Sequence, residues 1–237
     1  MEGLSSIFLN ADVGEGADYD TDIIPLVGGV NVCCGAHAGG AVEMLSAVNL
    51  AIKHDLLIGA HPGYPDLANY GRIEINLSPV VLKESLIKQL DNLAGVVKKQ
   101  GGELQYIKPH GALYNRMAQD EGFATQVLRI FKDWSPLPVM VLANSVAVKV
   151  AKLLGIPVIE EGFLDRAYTD EGYLVPRSTS GAIITDVNAA KQQAQAFMEG
   201  KPIFSQSGLP LEIQVDTVCV HGDTEGAVSF LKSVLGK

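Results

Sequence analysis

The chain is poor in cysteine, poor in positive charge and without any long apolar run. Its three cysteines, Cys33, Cys34 and Cys219, make no disulfide framework, and the absence of a CxxC pair argues against a thiolate zinc site. Cys33 and Cys34 are adjacent within an apolar run and read as small buried hydrophobes of a reducing compartment. Lysine and arginine number 18 against 27 acidic residues, for a net charge of −9, and they form no basic cluster. That excludes the electrostatic footprint of a nucleic-acid partner. No stretch is apolar for long enough to span a bilayer, and MEGLSSIFLN lacks the basic region and apolar core of a cleavable signal. We therefore expect no membrane partner and a cytoplasmic location. Also missing are GxGxxG, GxxxxGK[ST] and HExxH, so no dinucleotide site, P-loop or helix-borne zinc pair is supported.

What is present is a globular composition: 237 residues, 47% apolar, with a mean hydropathy of +0.20. Strand-like and helix-like segments alternate. Core strands are expected at 7–11, 30–34, 57–60, 105–108, 139–142, 158–160 and 217–221. Helices are expected near 21–27, 42–54, 79–100, 121–133, 146–154, 187–198 and 225–235. Ser78-Pro79 opens the longest, with Val81, Leu82, Leu86, Leu90, Leu93 and Val97 on one apolar face. A small hairpin is expected from 203–205 and 211–215, and 161–181 reads as irregular. Alternation of this kind predicts a parallel sheet. The expected fold is α/β: one (β/α) barrel domain over residues 1–237, seven-stranded or incomplete, with a doubly wound open sheet as the alternative.

Four runs end on a histidine followed by turn residues: VNVCCGAHAGG, LLIGAHPGYPD, LQYIKPHGALYN and TVCVHGDTEG. A fifth, SIFLNADVGEG, ends on Asp12 and Glu15 in the same manner. Titratable groups at the carboxyl ends of successive parallel strands are how such proteins build active sites. Because strand side chains alternate, Asn10 shares a face with Asp12, Lys108 with His110, and Cys219 with His221. Asp12 and Glu15 can act as general base or metal ligand, and His110 can shuttle a proton. Lys108 can hold an anionic group or pair inside the barrel with Asp12 or Glu160. Asp12, Glu15, Lys108 and His110 form the expected catalytic set. Expected around a substrate are Asn10, His37, His61, Arg72, Asn115, Arg177, His221 and Asp223, the arginines as clamps for a carboxylate. Asp223 can equally cap the last helix. The histidines with an aspartate could bind Zn²⁺, Mn²⁺ or Fe²⁺, with Asp12, His61 and His110 as the ligands if a metal is present.

Taken together, NADVGEG, CCGAHAGG, IGAHPGYPDLANYGR, KPHGALYN, FLDRAY and DTVCVHGD resemble the LamB/YcsF family, in the family's order from Asn10 to Asp223. One position departs: the family's HAGD is HAGG here, with Gly40 in place of the acid. The resemblance implies a barrel related to the glycoside hydrolase/deacetylase type. It also implies the A component of an ATP-dependent 5-oxoprolinase, which opens 5-oxo-L-proline to L-glutamate with partner subunits B and C. The implied cofactor is ATP with Mg²⁺, bound mainly on a partner. Phosphorylating the amide oxygen would make the ring carbon electrophilic, and the step then needs a base for water, cations for charge and a carboxylate clamp. On that reading Asp12 or His110 activates water. Lys108 and a histidine stabilise the activated lactam, and Arg72 or Arg177 grips its carboxylate. Two other readings stand beside it. One is a stand-alone metal-dependent amide hydrolase, such as a carbohydrate deacetylase. The other is a substrate-binding component without catalysis of its own.

Overall fold

Short runs of valine, isoleucine and alanine bounded by turn residues become strands because they can be buried on both faces. The computed structural model describes residues 7–17, 19–220 and 227–235. The strands are β1 (Phe8–Val13), β2 (Gly29–Cys33), β3 (Leu57–His61), β4 (Tyr106–Ile107), β5 (Val139–Leu142), β6 (Val158–Phe163), β7 (Ile203–Phe204), β8 (Pro210–Leu211) and β9 (Thr217–Val220). The helices are α1 (Asp20–Ile23), α2 (Ala41–Lys53), α3 (Pro79–Lys99), α4 (Gly111–Gln119), α5 (Glu121–Trp134), α6 (Val146–Leu153), α7 (Val187–Met198) and α8 (Ala227–Leu235), with a 3₁₀ turn at Ile24–Leu26. Among the described residues no helix is long and apolar enough to cross a membrane.

Seven parallel strands close in the order β1-β2-β3-β4-β5-β6-β9. Closure runs through β9, which pairs with β1 from Phe8↔Thr217 to Ala11↔Val220 and with β6 from Glu161↔Thr217 to Phe163↔Cys219. The seven-stranded barrel is therefore the fold, and the open-sheet alternative falls because no strand of the closed sheet keeps a free edge. β7 and β8 form the separate antiparallel hairpin, shorter than the sequence suggests.

Alternation divides each strand between two buried environments. Ala11, Val13, Val30, Val32, Ile58, Ala60 and Ile107 pack into the apolar core. Asn10, Asn31, Lys108, Glu161, Thr217 and Cys219 are also buried, but they bond to one another across the lumen. At the base of the lumen lies Tyr106, fully buried, in a slot opened by Gly59 on the neighbouring strand. A Cβ at Gly59 would collide with the Tyr106 ring.

α3 begins as its sequence requires, with Ser78 Oγ accepting from the Val81 amide at 3.4 Å and Pro79 in the first turn. Leu82, Leu86, Leu90, Leu93 and Val97 are buried on it, whereas Val81 is 47% exposed. One residue is about 100° of helical rotation, which carries Val81 off the stripe that Leu82 begins. Two elements depart further from expectation. KPHGALYN is not a plain loop, since α4 starts at Gly111 directly after His110. β6 continues to Phe163, three residues beyond the expected end, so its last inward positions enter the lumen. The segment expected to be irregular makes antiparallel bridges, Arg166↔Ile183 and Tyr168↔Leu174, which fold it over the mouth.

Because the Gly59 contact is with an enclosed aromatic ring, Gly59→Ala is expected to destabilise the protein by about 1–3 kcal/mol through overpacking. Urea unfolding measures this, and an unchanged midpoint would show that the slot is not tight.

Candidate active site

A hydrogen-bonded column rises through the lumen to the carboxyl rim. Tyr106 OH donates to the Val30 carbonyl at 3.1 Å and to Asn31 Oδ1 at 2.8 Å. Asn31 Nδ2 donates to Asn10 Oδ1 and to Asp12 Oδ1, each at 2.7 Å. Asn10 Nδ2 donates to Thr217 Oγ1 at 2.9 Å. Asn10 thus lies below the cavity floor with both amide atoms engaged. Expected to touch a substrate, it instead orients the groups above it.

Lys108 occupies the centre of the column, 2% exposed. Its ammonium lies 2.8 Å from Asp12 Oδ1, 2.9 Å from Glu161 Oε1, 3.2 Å from Cys219 Sγ and 3.3 Å from Asn10 Oδ1. Burial works against the charge, but Asp12, the Cys219 sulfur and Glu161 hold the amine well above its usual range. Burial pushes the Cys219 thiol up as well, so the sulfur acts as a neutral acceptor and the two carboxylates carry the balance. Glu161 takes the remainder of its bonding from Tyr114 OH, which donates to Oε2 at 2.8 Å. The lumen partner is Glu161, not Glu160. By strand alternation Glu160 faces the other way, where it pairs with Lys152 at 2.8 Å.

The rim carries the histidines. His61 Nδ1 donates to the Lys108 carbonyl at 2.8 Å, and His110 Nε2 donates to the Tyr70 carbonyl at 2.8 Å. Tyr70 has a φ of 53°, a left-handed conformation that a tyrosine adopts at a cost of about 1–2 kcal/mol. It sits in the loop after β3, which is fastened to α3 by a reciprocal amide pair between Gln89 and Gly63, at 3.0 and 2.9 Å. His37 stacks on His110 with centroids 3.8 Å apart and planes 3° from parallel. Gly71 makes room for the stack: its φ is +62°, and a Cβ there would lie 2.8 Å from His37 Cβ.

Glu15 reaches into this group. Its Oε1 is 3.3 Å from His37 Nε2, 3.4 Å from His110 Nδ1 and 3.9 Å from His61 Nε2. Burial raises its pKa, but the hydrogen bond with His37, foremost among its imidazole neighbours, outweighs that and brings it to about 2. His37 is also disfavoured by burial, yet its bonds to Cys33 and Glu15 lift it to about 9. Burial and the neighbouring imidazoles His37 and His61 pull His110 well below its ordinary value. The stack is thus a charged ring over a neutral one. The ligand atoms of Glu15, His37, His61 and His110 all lie within 4.8 Å of one another, a compact set for a metal ion. Asp12, expected in that set, is turned toward Lys108 and meets the cluster through Oδ2, 3.3 Å from His61 Nε2.

Above lies a cavity of about 370 Å³ whose lining carries both signs of charge. Asp12, Glu15, His61, Lys108 and His110 contribute to it. So do Arg72, Arg166, Arg177 and Asn115. Arg166 is buried, and its guanidinium donates to the Val175 carbonyl at 2.6 Å and the Ala182 carbonyl at 3.3 Å. His37, expected at the substrate, is fully enclosed behind His110 and acts through Glu15. His221 and Asp223 lie outside the described residues. Gly40 precedes the first turn of α2 and does not line the cavity, so the family's acid there would sit at a helix cap position. Sequence reasoning missed Glu161 and Tyr114. Tyr114 stands one turn after His110, a signal that reading α4 would have supplied.

These features define a class: a parallel (β/α) barrel with an acid–histidine cluster and a buried lysine beneath a cavity at its carboxyl rim. The chain belongs to the LamB/YcsF family, which it matches over residues 7–237. It is 42% identical over 234 residues to the 5-oxoprolinase A subunit of Heliobacterium modesticaldum, covering 96% of this chain and 92% of that protein. It is 40% identical over 228 residues to the corresponding 5-oxoprolinase component of Pyrococcus furiosus, covering 94% and 89%. The crystal structure of the lactam utilization protein from Thermus thermophilus superposes with a TM-score of 0.88 at 36% identity, covering 97% of this chain and 94% of that one.

Removing the Lys108 charge leaves two carboxylates facing each other in the lumen. Lys108→Met is expected to cost about 3–5 kcal/mol of stability, and Lys108→Met with Glu161→Gln clearly less. Chemical denaturation of the two variants decides this; equal losses would mean that the ammonium does not couple to Glu161.

Proposed function

We propose that this chain is the lactam-opening component of an ATP-dependent 5-oxoprolinase. The observation that carries the proposal is one cavity lined by carboxylates, a lysine, histidines and three arginines, in a chain 40–42% identical to proteins named as the A component of 5-oxoprolinase. 5-Oxoproline is a small lactam bearing one carboxylate, and a lining with both arginines and acid–base groups suits it. Arg72, Arg166 and Arg177 take the carboxylate, and the amide carbon points toward Asp12 and Lys108. The cavity volume falls within the usual range for small-molecule sites.

In this reading ATP binds with Mg²⁺ mainly on the partner subunits B and C; no P-loop pattern supports a phosphate site of that type in this sequence. The partners phosphorylate the amide oxygen. Asp12 then takes a proton from water as its oxygen adds to the ring carbon, and Lys108 offsets the charge that builds beside it. The ring C–N bond breaks with a proton delivered to nitrogen. A second water releases phosphate from the acyl phosphate, leaving L-glutamate.

In an assay reconstituted from all three components, L-glutamate formation should need this chain. Asp12→Asn should lower it by roughly 100-fold or more, with unfolding checked in parallel. Near-normal turnover in Asp12→Asn would remove Asp12 as base. Glutamate formation by the partners alone would reject the function itself.

A further inference from the structure

The two rim imidazoles present a valence problem. A backbone carbonyl only accepts, so the bonds to the Lys108 and Tyr70 carbonyls fix the protons of both rings: His61 carries its proton on Nδ1 and His110 on Nε2. The remaining nitrogens, His61 Nε2 and His110 Nδ1, are then bare in the neutral rings. They face each other at 2.9 Å. Two lone pairs do not approach that closely without something positive between or beside them. A shared proton satisfies the pair alone. Glu15 Oε1 converges on the same point, 3.4 Å from His110 Nδ1 and 3.9 Å from His61 Nε2, and adds an anionic donor to the two bare nitrogens.

We propose that Glu15 Oε1, His61 Nε2 and His110 Nδ1 hold one divalent transition-metal ion at the barrel rim. Ligands about 2.1 Å from a tetrahedral ion stand roughly 3.4 Å apart, so the oxygen already sits near polyhedral spacing and the two nitrogens open by about 0.5 Å. Each histidine donates its far N–H to a backbone carbonyl, which is how metal-bound imidazoles are oriented. Buried His37 bonds to Glu15 Oε1 at 3.3 Å and stacks on His110, steadying two of the three ligands. Cys33 is not a ligand, for its thiol donates to the Ala38 carbonyl at 3.0 Å. Two imidazoles and one carboxylate favour Zn²⁺, Mn²⁺ or Fe²⁺ over Mg²⁺. All three ligands line the cavity, which leaves the ion's remaining position facing a substrate. Bound there, it would polarise a carbonyl or acidify a water.

The inference stands on ligand geometry and does not depend on the lactam reading. Its test uses the isolated full chain without substrate. Protein stripped with chelator is titrated with Co²⁺ and followed by visible absorption, then challenged with Zn²⁺. The expected result is saturation at one equivalent and displacement by Zn²⁺. Affinity should fall at least about 100-fold in His110→Ala and about tenfold or more in Glu15→Gln, which preserves side-chain shape should the alanine variant unfold. His54→Ala, remote from the cluster, should bind as wild type. No saturable spectrum, or unchanged affinity in both cluster variants, would overturn the site and leave a proton between the two rings.

Discussion

The Lys108 ammonium, held between Asp12 and Glu161 inside a closed barrel, is the contact on which the rest of the site depends. A charge so deep is tolerated only when opposing charges and hydrogen bonds replace its water. The lumen supplies them from four strands and their extensions: Asn10 and Asp12 lie on β1, Lys108 directly follows β4, Glu161 lies on β6 and Cys219 on β9. Barrel closure is what brings those strands around one point. The same closure lets Asn31 and Tyr106 complete the network from beneath.

The rim inherits its order from that column. The Lys108 carbonyl fixes the His61 tautomer while its ammonium fixes Asp12. His61 faces His110, whose other nitrogen is held by a tyrosine carbonyl in left-handed backbone. Each of these groups is therefore clamped from below or behind, with its working atom turned to the cavity. Preorganisation of this kind is what electrostatic catalysis requires, because no reorientation remains to be done when charge develops. The loop bridged at Arg166↔Ile183 adds Arg166 and Arg177 to the cavity lining.

Much of this was legible in the sequence, for physical reasons. Strand-length apolar runs alternating with helical segments pointed to the barrel, and histidines at the run ends marked its carboxyl rim. The same pattern put Asp12, Lys108, His61 and His110 at one mouth, where the structure brings them together. What stayed hidden depended on parity and on chain reversal. Ending β6 at residue 160 made Glu160 the natural partner of Lys108, whereas three further strand residues bring Glu161 inward instead. No helix was expected between residues 108 and 121, so α4 and with it Tyr114 went unseen. Asn10 and His37 were expected against a substrate, but packing sets both behind the groups that face the cavity. Glu15 was expected in the catalytic set, but that it and not Asp12 joins the three histidines depends on how the loop after β1 turns.

The most direct test of the central account is a crystal structure of the chain with 5-oxo-L-proline bound. The account predicts the ligand carboxylate against Arg72, Arg166 and Arg177, with the amide carbon turned toward Asp12 and Lys108. A ligand seated outside this cavity, or reversed within it with its carboxylate on the acid–histidine cluster, would contradict it.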